Sequence, residues 1–275
     1  MLECVVNLSE GTDRSHIDRI GEAAGSLLLD THADGDHNRA VLTIAGAEEP
    51  LQAAMAAVTR CAVGSLDLAR HAGVHPRLGV VDVVPFVDLD APWAPSTAAS
   101  LHARATYATW AAQELALPCF LYGPERTLPE VRRTAWRTLH PDVGPASPHP
   151  TAGAVCVGAR GVLVAYNLIV TAPRDVAADV ARALRRPGLR TLVFTVRAGT
   201  QISCNLTDPI RLGPADVYDL VTRSLEPRGA AVAAAELVGL LPASVLTRIP
   251  AERWQQLGIG PDRTIEDRLA GRGGG

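Results

Sequence analysis

The stretch most able to do chemistry runs from His71 to Phe86: His71-Ala72-Gly73-Val74-His75-Pro76-Arg77-Leu78-Gly79-Val80-Val81-Asp82-Val83-Val84-Pro85-Phe86. Two histidines four residues apart, then Pro-Arg and a glycine ahead of an apolar run, describe a polar loop feeding a buried strand. Loops held on a rigid sheet carry catalytic groups because the sheet fixes their position while the loop reaches ligand. His75 stands out: an imidazole takes and returns protons near neutrality, and Pro76 restricts the backbone behind it to extended conformations. A hydrogen-bonded structural histidine is the competing reading of the same spacing.

A second cluster, His32, Asp34, Asp36 and His37, has the donor types of a divalent-metal site. A hairpin with Asp34-Gly35 at its tip explains the same residues, and no metal is expected. Planar guanidinium groups such as Arg39 and Arg77 can pair bidentately with carboxylates, or serve as surface ion pairs worth little. Asn7, Asn167 and Asn205 fall near expected strand ends, where amides can orient a heteroaromatic edge or satisfy turns.

The elements that must position these groups can be read in order. Strand Leu2 to Leu8 leads to a helix capped at Thr12 or Asp13 with Ile17, Ile20, Ala24 and Leu27 on one face. Strand Leu27 to Thr31 turns through the hairpin into Arg39 to Ile44, and Pro50 opens a helix on Leu51, Met55, Val58 and Ala62. With strand Val80 to Val87 this is β-α-β-β-α-β, the order of a ferredoxin-like sheet. A helix with Leu101, Ala105, Ala108, Ala112 and Leu115 inward then leads to strand Cys119 to Tyr122. Residues 123 to 152 are polar, arginine-rich and proline-punctuated, a segment expected to form no regular element and to shape a pocket instead.

The second half repeats the order: strand Val162 to Val170, helix Asp175 to Arg185, strands Thr191 to Val196 and Ile202 to Leu206, helix Ala215 to Leu225 and strand Ala231 to Leu241. The expected fold is therefore α+β, two stacked ferredoxin-like (βαββαβ) subdomains with a groove between them, where ligands commonly bind. The boundaries are 1–161, 162–270 and a disordered tail over 271–275.

Composition narrows the function. The chain has 275 residues, 47% of them hydrophobic, and a formal charge of −3 from 26 basic and 29 acidic side chains. No basic block invites nucleic acid or an anionic membrane, and no apolar run reaches membrane-spanning length. All the basic residues are arginine, so a lysine Schiff base is excluded. Five dispersed cysteines without a C-x-x-C pair and the lack of a leader-like N-terminus suggest buried thiols in a reducing cytoplasm.

Ordered motifs extend along nearly the whole chain. They include Glu3-Cys4-Val5-Val6-Asn7-Leu8-Ser9-Glu10-Gly11, Asn38-Arg39, His71-x-Gly73-x-His75-Pro76-Arg77-x-Gly79-x-x-Asp82-Val83-x-Pro85-Phe86, Arg126-Thr127-Leu128-Pro129, Gly144-Pro145, Ser203-x-Asn205-Leu206 and Glu236-Leu237-Val238-Gly239. In these the sequence resembles the glutamate formimidoyltransferases (formiminotransferases), including the formiminotransferase domain of formiminotransferase-cyclodeaminase. The resemblance implies transfer of a formimidoyl group between N-formimidoyl-L-glutamate and tetrahydrofolate, as in one-carbon metabolism and histidine catabolism. It implies His75 as general acid/base, with His32, Asn38, Arg39, His71, Arg77 and Asp82 around it. It also implies folate along Gly144, Pro145, Ser147 and Gly153, and a homodimer of ferredoxin-like subdomains.

Two positions depart from the family pattern: Val74 and His32 stand where acidic residues are usual. Their loss changes the electrostatics around His75. It leaves open a formimidoyl or formyl transfer to or from a different amine, or a folate-binding protein without activity. Nothing resembles the cyclodeaminase fused to some relatives.

Overall fold

The computed structural model describes residues 1–274; the last residue of the expected tail, Gly275, lies outside the described residues, and Gly271–Gly274 form a 3-10 turn. The chain divides into two compact units, Met1–Gly161 and a second beginning at Val162.

In the first unit, alternation along β1 (Leu2–Leu8) buries Leu2, Cys4, Val6 and Leu8 on one face. Helix α1 (Arg14–Glu22) covers that face with Ile17 and Ile20, its first turn capped by Asp13. Strands β2 (Leu28–Asp34) and β3 (Arg39–Gly46) form the expected hairpin, followed by α2 (Glu48–Ser65), β4 (Val81–Asp88) and α3 (Ala98–Leu115). β5 (Cys119–Tyr122), α4 (Leu128–Thr134) and β6 (Val155–Ala159) complete the unit. The strand order β2-β3-β1-β4-β6-β5 contains the ferredoxin-like order in its first four strands, and β6 and β5 extend it in parallel.

Three local expectations need correction. The segment 123–152 contains a regular helix, α4, which lays Val131 and Ala135 on Val83, Phe120, Tyr122 and Cys156, on the sheet face opposite α1–α3. The inward face of α3 is Ala103, Tyr107, Ala108 and Ala111, rotated from the expected one. Tyr107 is the large aromatic side chain on that face, and its hydroxyl is satisfied 2.7 Å from Thr59 Oγ1. Leu27 lies in a 3-10 turn (Gly25–Leu27) after α1, not on its face.

The second unit has β7 (Val164–Val170), α5 (Arg174–Leu184), β8 (Leu189–Val196), β9 (Gly199–Leu206), α6 (Pro214–Leu225) and β10 (Val232–Val238). Its antiparallel sheet has the order β10-β7-β9-β8, again ferredoxin-like. Tyr166, Leu168, Val180, Leu184, Val217 and Val221 fill its core. Among the described residues, no helix is long and apolar enough to cross a membrane.

Candidate active site

Antiparallel pairing brings the C-terminal end of β1 beside the N-terminal ends of β3 and β4. Asn7, Arg39 and Asp82 stand at those ends. Asp82 is fully buried, which is tolerable for a carboxylate only when it is paired and hydrogen-bonded. Arg39 Nη1 donates to Asp82 Oδ2 at 2.7 Å and Arg132 Nη2, from α4, donates to the same oxygen at 2.6 Å. Oδ1 accepts from the Leu78 backbone N–H at 2.8 Å and from Arg132 Nη1 at 3.3 Å. Burial alone would push the Asp82 carboxyl up, but Arg39, Arg132 and the Leu78 N–H hold it well below the usual carboxylate range. Asn7 orients Arg39: its Nδ2 donates to Val5 O at 2.9 Å, and its Oδ1 accepts from Arg39 Nε at 3.1 Å.

The histidine loop lies on the β2–β3 hairpin. Asn38 takes the left-handed conformation, φ +45°, which asparagine tolerates better than most residues. Its side chain accepts from the Gly11 N–H and donates to Ala72 O, both at 2.8 Å. Gly73 approaches so closely that an added Cβ would overlap the His37 carbonyl oxygen. Arg77 folds back and donates to the carbonyls of His75 (2.6 Å from Nη2), His37 (3.3 Å) and Asn38 (3.4 Å), so its donors order the loop.

His75 is half-buried, with Nδ1 2.8 Å from the Pro76 carbonyl oxygen. A carbonyl only accepts, so Nδ1 carries the hydrogen in this geometry and Nε2 is the basic nitrogen. The His37 ring meets it edge-on, with centroids 6.0 Å apart. Burial, then the charges of Arg39 and Arg132, push the His75 imidazole down to about 3. Burial and Arg77 lower His71 in the same direction. At cellular pH this imidazole is neutral, and the same burial and guanidinium charges that keep it so lower its basicity; it is set among three guanidinium groups and the saturated Asp82 carboxylate.

The other expected residues are distributed as follows. His32 lies on β2 opposite Val41. Asp34 Oδ1 accepts the backbone N–H groups of Asp36 and His37 at 2.8 and 2.9 Å, closing the hairpin turn. Among the described residues, no group of three or more His, Cys, Asp or Glu side chains is arranged to hold a metal ion. Gly153, at φ +72°, bridges Gly79 and packs on the Leu78 carbonyl, so it belongs to the support of the histidine loop. Gly144, at φ +91°, packs instead on Leu117 and Ala112 near the end of α3, with half-buried Pro145 and exposed Ser147 following. In the second unit, Asn167 is central in β7 and donates to Glu236 Oε2 at 3.1 Å; Asn205, near the end of β9, lies opposite Ala165 and Arg190.

Sequence reasoning missed Arg132 and His37 as members of this cluster. Arg132 had a local signal: Thr127-x-x-Glu130 with Pro129 between is a capping box opening a helix, and both reciprocal bonds are present.

Residues 1–160 match the family described as the formiminotransferase domain, N-terminal subdomain. The chain is 30% identical to a glutamate formimidoyltransferase of Streptococcus pyogenes serotype M1, covering 94% of each. It is 29% identical to one of Thermoplasma acidophilum, over 98% of this chain and 97% of that one. A formimidoyltransferase-cyclodeaminase of Rattus norvegicus is 32% identical over 90% of this chain, which spans 51% of that relative's length.

Proposed function

The chain belongs to the formiminotransferase family and is a transferase, and from that premise we propose that it moves a formimidoyl group between N-formimidoyl-L-glutamate and tetrahydrofolate. The single observation that carries the reading is His75, held neutral with Nδ1 on the Pro76 carbonyl, at the edge of the Arg39–Asp82–Arg132 cluster.

Tetrahydrofolate, when bound, supplies the secondary amine N5 that accepts the one-carbon group. His75 Nε2 removes the proton of the attacking nitrogen as the new C–N bond forms. The same nitrogen returns it to the departing glutamate nitrogen as the old C–N bond breaks, so one imidazole serves both steps without net redox change. The chain's contribution is to keep that imidazole unprotonated before the reaction and to fix its tautomer.

The charge of the site suits ligands that carry carboxylates, as both the glutamate donor and folate do. Arg39, Arg77 and Arg132 outweigh Asp82, whose oxygens are already occupied, so the site holds an excess of positive charge. The remaining assignments follow from the same reading: His32, Asn38 and His71 surround His75, and Asn7 lies toward the pterin edge of the folate. Gly144, Pro145, Ser147 and Gly153 line the folate. The subdomains are 1–161 and 162–270, in a cytoplasmic homodimer.

A second reading is favoured by Val74, which is 49% exposed beside His75. It offers a cationic amidine an apolar surface in place of charge, which suits transfer to or from another amine by the same histidine. Mixing the protein with tetrahydrofolate and N-formimidoyl-L-glutamate and following 5-formimidoyltetrahydrofolate by mass spectrometry separates the two. Product supports glutamate as the partner; folate binding without product moves the search to other amines.

A further inference from the structure

We propose that Arg132 is a positioning residue that sets the tautomer of His75 by fixing the carbonyl of Pro76. The inference rests on the reading of His75 as the acid/base.

Two contacts converge on one oxygen atom. Pro76 O lies 2.8 Å from His75 Nδ1 and 3.0 Å from Arg132 Nη1. The guanidinium is itself anchored on the buried Asp82 through Nη2 and Nη1. Arg132 therefore spans from the sheet to the histidine loop, and α4 reaches that position through its capping box and the packing of Val131.

The physical consequence is directional. A carbonyl held by a charged donor cannot swing away, so it stays aligned to accept the Nδ1–H, and the basic lone pair stays on Nε2. Without Arg132 the carbonyl loses its second donor, and the alternative tautomer, with the hydrogen on Nε2, becomes accessible. That tautomer cannot accept a proton at Nε2, so the error appears in turnover more than in binding. The charged and titratable groups around His75 are His37 on the hairpin, Arg39 on β3, Arg77 on the loop, Asp82 on β4 and Arg132 on α4. Removing Arg132 takes away one cation and leaves Asp82 less compensated, and both changes favour imidazolium.

The test compares wild type, Arg132→Lys and Arg132→Met, using ¹⁵N NMR of imidazole-labelled protein with His75→Ala to assign the signal, and pH profiles of kcat and KM. The expected wild-type signal is the Nδ1–H tautomer. Arg132→Met is expected to mix the tautomers, to lower kcat on the order of 10- to 100-fold with little change in KM, and to move the acid limb to higher pH. Arg132→Lys, which keeps the charge without the planar fork, is expected to restore the acid limb but not the tautomer. Should the methionine variant not fold, the lysine variant carries the tautomer test alone. Folded variants that keep the wild-type tautomer would overturn the proposal. If the tautomer responds as expected while no variant, wild type included, transfers a formimidoyl group, the positioning stands and the assigned reaction fails.

Discussion

Arg39 and Arg132 converge on a single oxygen, Oδ2 of Asp82, at 2.7 and 2.6 Å. One arginine comes from a strand and the other from α4, on the opposite side of the site, so the carboxylate joins the sheet to the layer that covers it. Asp82→Asn leaves two guanidinium groups facing each other with no anion between them. The variant should lose about 3 kcal/mol of stability, because breaking one partner of a buried ion pair strands the rest. The effect has a pH signature. The native carboxyl titrates below its unfolded value of about 3.9, so the unfolded chain binds the proton first as pH falls. Asp82 thus contributes stability that is full above that value and is lost as pH drops through the native one. Urea midpoints between pH 5 and pH 2 should fall more steeply for wild type than for Asp82→Asn; equal slopes would contradict the pairing.

The His75 imidazole should remain neutral far into acid. Burial and two nearby guanidinium groups push it down to about 3, so NMR titration should show no midpoint near the ordinary value of about 6.5. Arg39→Met should shift the midpoint upward by removing one of those charges. A wild-type midpoint near 6.5 would show that the imidazole is solvated.

Gly153→Ala should damage the site from behind. The residue sits at φ +72° with its α-carbon against the Leu78 carbonyl, so a methyl group meets both backbone strain and a clash. The expected cost is about 2 kcal/mol in chemical denaturation, with a loss of transfer activity at temperatures where the protein remains folded. An alanine variant with unchanged stability and activity would refute this account of the loop's support.

How much of this was legible in the sequence depends on how local the signal was. Both βαββαβ repeats could be read because their strands and helices carry regular apolar periodicity, such as Leu2, Cys4, Val6 and Leu8 in β1. β6 escaped because Val155–Ala159 is a five-residue parallel strand buried throughout, which has no alternation to detect. α4 escaped because Val131 is its one buried residue among seven, too little for an apolar stripe, although its capping box was written in Thr127 and Glu130. α3 was placed correctly but turned wrongly, since a run of alanines does not tell one face from another until Tyr107 is packed. His75 could be singled out by type, and Asp82 through the family motif that holds it. The partnership of Asp82 with Arg132, 50 residues away, is a product of the fold alone.

The central claim is that His75 moves the proton during formimidoyl transfer. Its most direct test is kcat/KM for wild type and His75→Ala with N-formimidoyl-L-glutamate and tetrahydrofolate, each variant checked for fold by circular dichroism. Wild type should form 5-formimidoyltetrahydrofolate, and His75→Ala should be slower on the order of 10²- to 10⁴-fold, the range expected for loss of a general acid/base. A folded His75→Ala enzyme that makes product at the wild-type rate would contradict it.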